Sequence, residues 1–165
     1  QNLDQEQDLT DDAIARGAAA VQLFTEENQG GVGCVQCHGP TLEGSLILNT
    51  LTPDDPNDVV PTPNLTTVCG GPFTNHPLIY GLRDIYTTID QGRGLMPSWS
   101  IRFAGALGDQ QVNDIVNYLV SIQDEEQVPF EHNVCTNPEA VDAAVEEFLN
   151  GNLADKPNPT TNIQV

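Results

Sequence analysis

Residues 34–38 read Cys34-Val35-Gln36-Cys37-His38, and no other stretch limits what this chain can fold into as sharply. Two thiols three residues apart come to the same side of a short helical turn. The histidine that follows at once carries its imidazole to the same place. Two more cysteines, Cys69 and Cys135, stand alone in the sequence.

Cys-x-x-Cys-His is the attachment sequence for c-type haem. The two thiols add across two vinyl groups on one edge of a flat macrocycle, and the imidazole reaches the iron from below. Aromatic residues make up only 5% of the chain, so a large flat group would add to a core of this size. Two other chemistries use such a pair. A thioredoxin-like dithiol needs a strand leading into a helix, whereas the segment before Cys34 reads as a helix. A zinc site of Cys34, Cys37, Cys69 and Cys135 would want its ligands in close pairs, and two of the four are isolated. Haem is the reading that follows, and one motif implies one covalent haem c and one iron.

An iron that only passes electrons wants six ligands, so a second axial ligand is expected. The candidates are Met96, His76 and His132. Met96 is the sole methionine and lies 58 residues after His38, in the constrained stretch Gly92-Arg93-Gly94-Leu95-Met96-Pro97-Ser98-Trp99. A thioether is a soft iron ligand, and His/Met ligation raises the reduction potential. A lone Met can also fill a gap in a core, but the flanking loop is not core-like. His76 and His132 read as surface or loop residues.

Residues 1–9 read as a polar, acidic lead-in. A first helix is predicted from Thr10 to Glu27, with Thr10 as its cap and Asp11 and Asp12 on the positive end of its dipole. Its apolar face is Ile14, Gly17, Ala18, Val21 and Phe24, thin enough for a second helix to approach closely. Residues 39–76 hold Pro40, Pro53, Pro56, Pro61, Pro63 and Pro72 and read as a long loop that covers or builds a site. A helix is predicted from Pro77, with Leu78, Leu82, Ile85, Tyr86 and Ile89 as its stripe and Gly92 as its stop. Another runs from Asp109 to Ser121 on Val112, Ile115, Val116, Leu119 and Ile122. A short helix from Pro138 to Leu149 carries Val141, Val145, Phe148 and Leu149, and residues 151–165 read as a flexible tail.

Taken together, Cys34-Val35-Gln36-Cys37-His38-Gly39, Pro63-Asn64-Leu65, the Met96-Pro97 loop with Trp99, and Asn117-Tyr118-Leu119 resemble a class I cytochrome c over roughly residues 12–122. The resemblance implies an all-α fold, here with an insert at about 40–61 and an extension at 123–165. It implies that His38 and Met96 are the axial ligands and that the Pro63 carbonyl accepts from the His38 ring, with Leu65 beside it. Such an outer bond fixes the ring and its basicity. It also implies that Gly17 and Tyr118 meet where the first and last family helices cross, and that Trp99 or Arg93 bonds a haem propionate. Thioether cytochromes mature outside the cytoplasm, so Cys69 and Cys135 are expected to form a disulfide. The extracytoplasmic side, periplasmic or on the outer face of the cytoplasmic membrane, is the expected location.

Five basic residues face 24 acidic ones, for a formal charge of −19. That excludes nucleic acid as a partner, since no basic patch can neutralise phosphates. It also disfavours anionic lipid. A protein partner should present a basic surface. The basic rim that mitochondrial members of the family use for docking is absent, so their partner chemistry does not transfer. No run of 18 apolar residues exists, so a membrane would be reached only through a removed anchor or a partner complex. A chain that begins at Gln1 and holds one methionine, Met96, is expected to be a processed or excised form. The expected function is single-electron transfer rather than enzymatic turnover, as a subunit of a respiratory complex or as a carrier docking on one. The competing function is a haem c enzyme or gas-sensing domain with a labile distal ligand.

Overall fold

Gly17 decides how the first helix packs. A side chain there would collide with the Asp114 carbonyl and with Cβ of Tyr118, so only glycine lets the two helices touch backbone to backbone. In the computed structural model, which describes residues 2–150, that first helix is α1 (Asn2–Val21). After it come α2 (Val35–His38), β1 (Leu46–Leu48), β2 (Val59–Pro61), α3 (Leu82–Gln91), α4 (Asp109–Ser121) and α5 (Pro138–Leu149). Turns of 3-10 helix lie at Leu65–Thr74, Ile101–Phe103 and Phe130–His132. The chain forms two compact units. One is built from the residues up to Gln36 with Tyr86–Ile122, the other from Cys37–Ile85 with the residues from Gln123 onward.

In the first unit α1 packs on α4. Ala13, Gly17, Ala20 and Val21 of α1 are buried, as are Val112, Ile115, Val116 and Leu119 of α4. The Arg16 guanidinium crosses this seam. Its Nε and Nη2 donate to the two carboxylate oxygens of Asp114 at 2.7 and 3.0 Å. That fork-on-fork bond raises the Arg16 pKa above its ordinary value, and it satisfies a carboxylate that the helix contact has buried.

Helix α1 differs from the sequence expectation at both ends. It starts at Asn2, so Thr10 lies inside it rather than at its start, and the expected lead-in is helical. Glu, Gln and Leu are good helix formers, and residues 3–9 are rich in them. It stops at Val21 rather than Glu27, which leaves Phe24 outside and 69% exposed. The last carbonyls are taken from outside the helix. Asn28 Nδ2 donates to Ala19 and Leu23, the Val32 amide to Ala20 and the Gly33 amide to Gln22.

Helix α4 runs as expected, with the Gln111 side chain accepting from the Gly108 amide at its start. Helix α3 starts five residues after Pro77. Residues 76–79 close a turn of their own, and the Asp84 carboxylate accepts from the Tyr80 amide ahead of the helix. Leu78 and Leu82 are therefore exposed, and Ile85 and Ile89 carry the buried face. Gly92, at φ 77°, ends α3 in the left-handed conformation that glycine adopts without strain.

In the second unit the long loop holds a two-stranded antiparallel ribbon, with Leu46 opposite Pro61, Ile47 opposite Val60 and Leu48 opposite Val59. Its tip is tied by Asn49 and Thr52 donating to the Asp58 carboxylate. The 3-10 segment Leu65–Thr74 follows, capped by the Asn64 side chain, which accepts from the Thr66 amide.

The C-terminal extension straps this segment. Gln123 accepts from the Cys69 amide and donates to the Leu65 carbonyl, both at 2.8 Å. The amides of Asp124 and Val134 donate to the carbonyls of Thr66 and Cys69. Cys69 and Cys135 form a disulfide. Phe73 and His132 stack with ring centroids 4.3 Å apart. Helix α5 has the expected bounds but another buried face. Ala140 and Ala144 are buried, Val141 is half-buried, and Val145, Phe148 and Leu149 are exposed. Small side chains let α5 lie close to the 65–74 segment. The expected tail, residues 151–165, lies outside the described residues. Among the described residues no helix is long and apolar enough to cross a membrane.

Candidate cofactor site

Cys34 leads into α2, one turn that carries Cys37 and His38. The turn is anchored from both directions. The Gln36 amide donates to the Gly33 carbonyl at its start. At its end the Thr62 hydroxyl donates to the Cys37 carbonyl at 2.7 Å and the Gly44 amide donates to the His38 carbonyl. Cys34 is half-buried, Cys37 is exposed, and neither enters the disulfide. The disulfide removes Cys69 and Cys135 from metal binding, which overturns a four-cysteine zinc site. Among the described residues no group of three or more His, Cys, Asp or Glu is placed to hold a metal ion.

His38 is buried, and its Nδ1 lies 3.0 Å from the Pro63 carbonyl. A carbonyl can only accept, so Nδ1 carries the hydrogen and Nε2 keeps the lone pair. Burial pushes the His38 pKa down, against the opposing pull of the Pro63 bond. The neutral imidazole is thus the favoured form, and it is also the form that ligates iron. The Pro63 ring is exposed and Leu65 is half-buried, its amide donating to the Leu42 carbonyl.

Met96 belongs to the first unit and is half-buried. The amide of Arg93 donates to the Met96 carbonyl and the amide of Met96 to the Arg93 carbonyl, both at 3.0 Å, so residues 93–96 form a tight hairpin. The Trp99 amide then donates to the Ile89 carbonyl, and the Trp99 carbonyl accepts from the Leu107 amide at 2.7 Å. Arg93 is exposed and Trp99 half-buried.

Both histidines that competed with Met96 lie in a loop or a short turn, but one of them is not at the surface. His76 is no surface residue. It is buried, with Nε2 3.2 Å from the Thr67 hydroxyl. Burial lowers its pKa to about 4, despite a bond to the Asn64 backbone. Both flanking groups belong to the stretch that starts at Pro63. His132 is half-buried and stacked on Phe73. Each ring is thus already used in packing or hydrogen bonding within the second unit.

Several positioning residues escaped the sequence reading: Thr62, Gln123, and the pair formed by Arg102 and Asp90. Only Arg102 had a visible signal, as one of five cations among 24 acids.

The donor set fits haem c. It offers two cysteines outside any disulfide, spaced on one helical turn, and beside them a neutral imidazole with a fixed tautomer. A family model described as cytochrome c matches residues 15–123. Comparison with curated proteins and with solved structures gave no match.

Proposed function

Because the chain belongs to the cytochrome c family, whose members carry covalent haem c and transfer electrons, we propose that it passes single electrons through one haem with His38 and Met96 as axial ligands. The observation that carries this reading is the His38 Nδ1 contact with the Pro63 carbonyl, beside two cysteines left out of the disulfide. When bound, haem c supplies an iron that cycles between ferrous and ferric states. Every other contribution is the chain's own. Cys34 and Cys37 tether the group. Pro63 holds the His38 ring in one orientation and raises its basicity. Met96, held in its hairpin, supplies a soft neutral ligand that favours the ferrous state. Arg93 and Trp99 are the side chains offered to the propionates, and Leu65 is offered to the proximal face. His38 and Met96 together would leave the bound iron no open position for a substrate, which separates this reading from a haem enzyme or gas sensor.

The charge of −19 supports docking on a basic redox partner, either as a carrier or as part of a respiratory complex. The thioether attachment and the disulfide support an extracytoplasmic location. The test is carbon monoxide added to the reduced, haem-loaded protein at neutral pH. An unchanged spectrum is expected. Rapid, saturable formation of a carbonyl complex would replace this reading with the enzyme or sensor.

A further inference from the structure

The loop that carries Met96 runs from the end of α3 to the start of α4, and one cation joins those two helix ends. Arg102 Nη2 donates to the Tyr86 hydroxyl at 2.6 Å and to Asp90 Oδ1 at 3.2 Å, both on α3. It also pairs with Asp109 Oδ1, the first residue of α4, at 2.9 Å. Tyr86 closes the ring by donating to Asp109 at 3.1 Å. Asp90 is buried. Its carboxylate raises the Arg102 pKa above the ordinary value, ahead of the contribution from Asp109.

Met96 lies six residues after Asp90 and six before Arg102. The turn that follows the hairpin is tied into the same cluster. Ser100 is fully buried, its hydroxyl accepts from the Arg102 amide, and its own amide donates to the Asp90 carbonyl. Two acidic groups, one of them buried, thus meet at the base of this loop with a single guanidinium between them. Without it a buried charge would stand beside a like charge. The ends of α3 and α4 would move apart, and the hairpin they support would gain freedom.

We propose that Arg102 is the positioning residue of the Met96 loop: it clamps α3 to α4 and so holds the thioether ready for the iron. The proposal rests on Met96 being the distal ligand. The first unit supplies its own control, because Arg16 pairs with the buried Asp114 at the α1–α4 seam, at 2.7 Å and so more closely than Arg102 pairs with Asp90.

The test titrates the ferric, haem-loaded protein with imidazole, which competes with Met96, and follows the loss of the thioether–iron charge-transfer band. Arg102→Gln is expected to raise the affinity for imidazole about tenfold, the worth of one charge-assisted bond. Tyr86→Phe keeps every charge and should raise it about two- to threefold. Arg102→Lys keeps the charge but not the planar guanidinium, whose Nη2 makes all three contacts, and should fall between wild type and Arg102→Gln. Arg16→Gln should lower the melting temperature and leave the affinity within about twofold of wild type. Equal shifts in Arg16→Gln and Arg102→Gln would overturn the proposal, because the effect would then be general destabilisation. An unchanged affinity in Arg102→Gln would also overturn it. Should that variant fail to load haem, wild-type affinities in both Tyr86→Phe and Arg102→Lys would overturn it instead. A wild-type protein without the band would instead sink the ligand assignment.

Discussion

His38 and Met96 are held by different kinds of force. The stretch behind His38 is backbone and covalent work: a carbonyl on the ring, a hydroxyl on the Cys37 carbonyl, Gln123 bridging Leu65 and Cys69, and a disulfide between Cys69 and Cys135. The loop of Met96 is a four-residue hairpin whose flanks meet at charged side chains, Arg102 with Asp90 and Asp109. Bonds of the first kind are indifferent to salt. Those of the second are partly exposed and screened by it. The difference implies an order of events under stress. With Met96 as the proposed distal ligand, it should leave before the segment behind His38 loosens.

The strongest way to break this comparison is to cut the covalent strap. The disulfide closes 66 residues, so Cys69→Ser/Cys135→Ser should lose about 4 kcal/mol of unfolding free energy in the chain-entropy model. Denaturant melts of the two proteins measure it. The thioether–iron band of the folded variant should be unchanged, because the strap lies in the other unit. A band lost under native conditions would mean that the two regions are not held separately.

A smaller effect sharpens the picture of the His38 side. The pKa of His76 falls from 6.5 to about 4 on folding. Between these values the unfolded chain binds more protons than the folded one, so stability declines as pH drops through that window. The decline attributable to this group is about 3 kcal/mol at its foot. His76→Asn should flatten the acid limb of unfolding free energy against pH between about 6.5 and 4. An identical slope in wild type and variant would show that the burial of His76 is not what sets it.

The fold and the site were legible in the sequence to unequal degrees. Cys34, Cys37 and His38 announce their chemistry because covalent attachment tolerates one spacing. Helix α4 was legible in full, since Val112, Ile115, Val116 and Leu119 give a clean period. Helix α1 was not. Its end is decided by Asn28 and the amides of Val32 and Gly33 folding back on it. Helix α5 was found with its bounds but with the wrong face, because hydrophobicity favours Phe148 and Leu149 while close packing favours Ala140 and Ala144. The ribbon at residues 46–61 was hidden among prolines. The contact between Arg102 and Asp90 was out of reach as well, because it needs α3 to have ended and the loop to have turned before the two side chains can meet.

The central claim of the proposed function is that Met96 is the distal ligand opposite His38, and Met96→Ala tests it most directly. Pyridine haemochrome, ferric absorption and the reduction potential are read on the same sample. The account expects covalent haem c at wild-type level, no thioether–iron band, and a potential lowered by a sizeable part of the roughly 0.8 V that axial ligands span. A variant that keeps both the band and the potential of the wild type would contradict it and remove Met96 from the iron.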